Sequence, residues 1–155
     1  MKTIPLLIIT IVILTGCGNS AISPEQLGKQ IGDTYHAAMH DAALLLKGIP
    51  PSADVKDKLL ALKTKYVKIM AGYGQIRQKM SADDKEIVDS ATYDAVANYN
   101  KDDGDTIRLA MEEYGRLGEN EMAVAASHFL IITQYANFDL LLKYHPQEAA
   151  QIGAQ

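Results

Sequence analysis

The 155-residue chain has no tryptophan, only two phenylalanines and a single cysteine. One cysteine closes no internal disulfide, which excludes a disulfide-stapled scaffold and a Cys-rich zinc module. Alternating apolar and polar residues, the mark of half-buried strands, are missing, as are internal repeats and a Gly-rich phosphate loop. There is no basic excess either. Fifteen Lys and Arg stand against nineteen Asp and Glu, a formal net charge of −4, so no general attraction draws the chain to nucleic acid and no nucleic-acid partner is expected. What is present is a 48% hydrophobic content, gathered into long stretches of helical period that suit one globular domain.

The start of the chain reads as a targeting segment. Met1 and Lys2 are followed by an apolar run from Ile4 to Leu14. As a helix it would rise about 16 Å, short of the roughly 30 Å hydrocarbon core, while a secretory signal needs only about 7 to 15 apolar residues. The run closes on Leu14-Thr15-Gly16-Cys17, which resembles the lipobox of bacterial lipoproteins. That resemblance implies cleavage before Cys17 and acylation of its sulfur, and it covers the leader alone. The lone cysteine agrees with it, because a thioether neither oxidises nor pairs as a free exported thiol does. Several acyl chains imply stable anchoring, since one chain binds only reversibly. Gly18, rather than Asp, after the lipidated residue implies the outer membrane where the source has two membranes. The expected organisation is a signal peptide over 1–16, a lipidated tether over 17–22, a helical body over 23–145 and a frayed tail over 146–155.

The body reads as all-α, a four- or five-helix bundle with an apolar C-terminal helix at its centre. Ser23-Pro24-Glu25-Gln26 predicts a capping box with Pro at the first helical position. From there Leu27, Ile31, Tyr35, Ala38, Ala42, Leu45 and Leu46 form one stripe up to Gly48. A second helix after Ser52 turns Val55, Leu59, Leu62, Tyr66, Ile69, Met70, Tyr73 and Ile76 to one face, with Gly72 and Gly74 marking a bend or a close contact. Ser81 caps a third helix carrying Ile87, Val88, Ala91, Ala95 and Tyr99 inward. Asn100 to Asp105 reads as a break before a shorter helix with Ile107, Leu109, Ala110, Met111 and Tyr114, ended by Gly118. The last helix, from about Glu121 to Tyr144, is apolar nearly all round, as a central helix would be.

Three groupings bear on function. Asp33, His36 and His40 have metal-ligand spacing, but helical angles set them opposite the apolar stripe, where solvated side chains are expected and no metal site is assigned. No Glu is followed by His three residues later, as a ferritin-type di-metal site needs. The stretch 100–105 fails the calcium-loop register, because Ala110 falls where a bidentate Glu is required, and a capping turn is expected instead. Glu121, His128, Tyr135 and Asp139 fall along one line of the last helix, and His128, Tyr135 and Asp139 form the candidate ligand or partner site. Eleven residues, about 16 Å of helix, separate His128 from Asp139, too far for a catalytic dyad.

Charge is uneven along the body. Residues 52 to 80 hold seven bases against Asp54 and Asp57, and residues 81 to 122 hold twelve acids against four bases. Lys56, Lys63, Lys65 and Lys68 form a candidate basic docking face. With no nucleophile and base at catalytic spacing and no cofactor motif, the expectation is a non-enzymatic, lipid-anchored envelope protein without a cofactor. It would bind another protein, as an assembly, inhibitor or immunity factor. The alternative is a small-molecule or metal-binding lipoprotein with a pocket between helices.

Overall fold

The computed structural model describes residues 22–97 and 100–154. Among them are seven α-helices and no strand, so the body is all-α: α1 (Pro24–Leu46), α2 (Ser52–Gln78), α3 (Ala82–Val96), α4 (Lys101–Arg116), α5 (Asn120–Leu130), α6 (Phe138–Tyr144) and α7 (Pro146–Gln151), with a 3-10 turn (Ile132–Ala136) between α5 and α6. The lipobox residues Leu14, Thr15, Gly16 and Cys17 lie outside the described residues, as does Tyr99.

Local chemistry sets most of the boundaries. Ser23 accepts from the Gln26 backbone N–H at 3.2 Å while the Gln26 side chain accepts from Ser23 N–H at 3.3 Å, closing the capping box. Gly48 ends α1 in the left-handed region at φ 76°. Ser81 and Asn100 cap α3 and α4 by accepting from Asp84 N–H and Asp102 N–H. The expected break over 100–105 is therefore confined to its first residue. Asn100 is the N-cap, and Asp102 and Asp103 already lie in the first turn of α4, where the helix dipole favours them.

The hub of the bundle is α1, not the C-terminal segment. It packs against α2, α3, α4 and α5, and Leu27, Ile31, Ala38, Ala42 and Leu46 are buried as their stripe requires. The second contact surface is a row at four-residue spacing, Gly28, Gly32 and His36, the last expected to face solvent. A Cβ on Gly28 would lie 2.6 Å from the Ala91 methyl, and one on Gly32 would overlap Ala95. Two glycines opposite two alanines let the α1 and α3 backbones close together, which makes α3 a neighbour along its whole length.

The expected single C-terminal helix is divided into segments. It leaves helical geometry at Ile131 (φ −113°) and again at Asn137 (φ −124°), whose side chain accepts from Leu140 N–H at 3.2 Å and starts α6. The β-branched run Ile131-Ile132-Thr133 weakens the helix there, and the Asn cap offers a competing arrangement. Apolar side chains pointing every way are accommodated by changing the direction of the chain. Phe129, Ile132, Phe138 and Leu141 are all buried.

Nor is the tail frayed. Pro146 opens α7, and Ala149 and Ala154 are buried. Further corrections concern Ile69, Ile76 and Ile87, placed on apolar or inward faces but exposed at 36%, 39% and 39%. On α2 the neighbouring positions Ala71, Gly74 and Arg77 are buried instead, with the Phe138 ring seated against Gly74. Among the described residues, no helix is long and apolar enough to cross a membrane.

Candidate functional site

The line Glu121, His128, Tyr135 and Asp139 does not survive the breaks in the helix. Glu121 pairs with Lys56 at 2.6 Å on the exposed surface. Asp139 turns to Arg77 at 3.1 Å. His128 and Tyr135 remain together, with ring centroids 6.5 Å apart, because a residue in the supposed tail joins them. One oxygen of Glu148 on α7 lies 2.6 Å from His128 Nε2, and the other accepts from the Tyr135 hydroxyl at 2.6 Å.

His128 is buried, and its Nδ1 donates to the Val124 carbonyl at 2.7 Å. Both ring nitrogens thus face acceptors. Burial works to raise the Glu148 carboxyl, but the hydrogen bonds from Tyr135 and His128 and the charges of His128 and Lys63 outweigh it and hold it below the usual carboxylate range. Burial first, then the bond to Glu148, pushes the Tyr135 phenol up. The cluster ties α7 to α5 and the 3-10 turn.

A second polar knot lies at the other end of α2. Arg77, 4% exposed, donates through Nε and one terminal nitrogen to both oxygens of Asp89 at 2.9 and 2.8 Å, and through the other to Asp139. Helices α2, α3 and α6 meet on one guanidinium, a planar fork suited to two carboxylates. Sequence reasoning missed both Arg77 and Glu148. For Glu148 the signal was Pro146, which opens a helix two residues before it; for Arg77, flanked by Gln75, Gln78 and Lys79, the sequence offered none.

The candidate basic face is divided. Lys56 is held by Glu121. Lys65 lies 3.6 Å from Asp41 and over the Tyr66 ring. Lys63 and Lys68 line a groove of about 690 Å³ between α2 and α7, with Leu60, Val67, Ala71 and Ile152 as its apolar walls and Glu148 and Tyr135 at one side. Burial pulls the half-buried Lys63 ammonium below its ordinary value against the opposing charge of Glu148.

His40 is exposed, as expected, while His36, expected in solvent, is part-buried; both also reach across to neighbouring helices. His36 Nε2 lies 2.9 Å from the Ala95 carbonyl in the last turn of α3, where carbonyls lack helical partners, and His40 reaches Asp103 of α4 at 3.3 Å. Asp33 is exposed. Among the described residues, no three His, Cys, Asp or Glu side chains converge as a metal site would require. The chain matches no protein-family model, no curated protein and no solved structure.

Proposed function

We propose that the protein is a lipid-anchored, non-enzymatic binding protein of the bacterial envelope, held by acyl chains on Cys17. The observation that carries this reading is the sequence Leu14-Thr15-Gly16-Cys17, a lipobox that ends just ahead of a body whose first helix is capped at Ser23. Six residues from Gly18 to Ser23 extend at most about 20 Å, so the bundle rides close to its own bilayer. The outer membrane is the expected address where there are two. The test is fractionation of cells expressing the Cys17→Ala chain. The native chain is expected to stay in the membrane pellet through washes in high salt, and the variant, which carries no acyl chains, to be depleted from it. Salt-resistant retention of both at equal levels would overturn the anchor.

The partner in this reading is another envelope protein that presents a basic surface. Its support is the exposure of Asp102, Asp105 and Glu112 on one side of α4, in a bundle whose His128 and Arg77 are engaged in linking helices. Such a face steers association and makes it dependent on salt. Cross-linking in native membranes is expected to give one dominant adduct. Replacing Asp102, Asp105 and Glu112 by Asn, Asn and Gln should weaken it several-fold. An adduct insensitive to those changes would remove the acidic face from the reading.

The groove between α2 and α7 favours a second reading, binding of a small molecule. Its volume falls within the range of about 300 to 1,000 Å³ common for ligand sites.

A further inference from the structure

We propose that the α2–α7 groove binds a single-chain amphiphile with a carboxylate head, a free fatty acid in class, with the head between Lys63 and Lys68 and the alkyl chain along the apolar strip toward Gly72. This rests on the small-molecule reading of the groove and is independent of the anchor.

The geometry of α2 supplies both halves of such a ligand's complement. Leu60, Val67 and Ala71 follow one another at spacings of seven and four and so share one side of the helix, facing Ile152 across the groove. Lys63 and Lys68, five positions apart, are separated by about 140° around the axis, which sets them on opposite edges of that strip. A lone anion between two ammonium groups above an apolar floor is the pattern offered. From the midpoint of Lys63 and Lys68 to Gly72 the strip runs about 10 Å, enough to seat most of one medium-length alkyl chain.

The charge balance agrees. From Lys58 to Met80 the chain contains no Asp or Glu. Among the described residues, the ion pairs of α2 use Lys56, Lys65 and Arg77, and neither Lys63 nor Lys68 forms one. Glu148 is the one acid lining the groove, and its two oxygens are already taken by His128 and Tyr135. The groove therefore presents two lysines against one carboxylate whose oxygens are engaged elsewhere, in a protein whose overall charge is negative. A bound carboxylate would add a second anion beside the half-buried Lys63, which forms no close ion pair and feels Glu148 only at longer range.

Gly72 gives a means of closing the site without disturbing the fold. A Cβ there meets nothing within 4 Å, so Leu at this position projects into the groove while removing a helix-weakening glycine. The experiment is photolabelling of the full chain in its native membranes with a ten-carbon carboxylate bearing a terminal diazirine, alongside the matching alcohol probe, with adducts mapped by mass spectrometry. The carboxylate is expected to label the segments 69–77 and 144–155, to be competed by decanoate and not by decanol, and to lose at least tenfold in labelling with Gly72→Leu and with Lys63→Gln and Lys68→Gln together. Circular dichroism verifies that each variant is folded. Labelling by neither probe would overturn the groove as a small-molecule site altogether. Equal labelling by the alcohol, or indifference to the two lysine changes, would overturn the carboxylate assignment alone. Preferential labelling by a two-chain phosphatidylglycerol probe, or competition by an acidic peptide instead of decanoate, would likewise overturn it.

Discussion

Gly32 of α1 and Ala95 of α3 meet so closely that a Cβ on the glycine would overlap the alanine methyl. The contact places α1 at the hub of the bundle, since it gives the helix a second packed face beside its apolar stripe. Gly32→Ala should therefore destabilise the fold by about 1 to 3 kcal/mol, the usual effect of overpacking. Gly72→Ala, in a helix where the new methyl meets nothing, should stabilise by about 0.5 to 1 kcal/mol. Urea denaturation of the two variants checks the opposite signs. A neutral Gly32→Ala would mean that the helices do not approach as described.

Glu148 holds two buried partners at once, so its removal should be felt beyond α7. Glu148→Ala leaves His128 Nε2 and the Tyr135 hydroxyl without an acceptor and should cost about 3 kcal/mol. Faster amide exchange should appear across Pro146–Gln151. Glu148→Gln, which keeps an acceptor for Tyr135, should cost less. Retention of full stability in Glu148→Ala would contradict the cluster.

The same carboxylate gives a pH dependence whose sign is fixed. Its folded value lies below the ordinary 4.5 of an unfolded Glu, so the unfolded state binds its proton first as acid is added. The stabilisation is fully present above about pH 4.5 and is lost as pH falls through the folded value. Urea midpoints measured between pH 7 and pH 3 should fall more steeply for the native chain than for Glu148→Gln. Parallel curves would remove Glu148 as a source of acid sensitivity.

Arg77 is buried while its partners Asp89 and Asp139 are about half exposed, which makes the two sides of the knot unequal. Arg77→Met leaves the acids to water and should cost about 1 to 2 kcal/mol. Asp89→Ala together with Asp139→Ala strands a buried cation and should cost about 3 to 5 kcal/mol. Denaturation of both variants tests the order, and a larger loss in Arg77→Met would reverse the assignment.

The helix starts were legible because caps are local. Ser23, Ser81 and Asn100 each satisfy N–H groups two or three residues on, and Gly48 stops α1 through its own backbone freedom. Tertiary choices were less legible. Ile69 and Ile76 match the period of α2 but lose their place to Ala71, Gly74 and Arg77, since the Phe138 ring and two distant carboxylates choose the face. The C-terminal segment is apolar on every side and so carries no phase from which its breaks could be read. His128 and Tyr135 were found through their spacing of two helical turns. Glu148 was missed because a short polar tail shows no periodicity, and the burial of Ala149 that fixes α7 depends on contacts far away in sequence.

The most direct test of the anchored-protein account is the mass of the N-terminal tryptic peptide of the mature chain isolated from native membranes. The account predicts a peptide from Cys17 to Lys29, heavier than its amino acids by a diacylglyceryl group on sulfur. A peptide that retains residues ahead of Cys17, or one that begins there with an unmodified thiol, would contradict it.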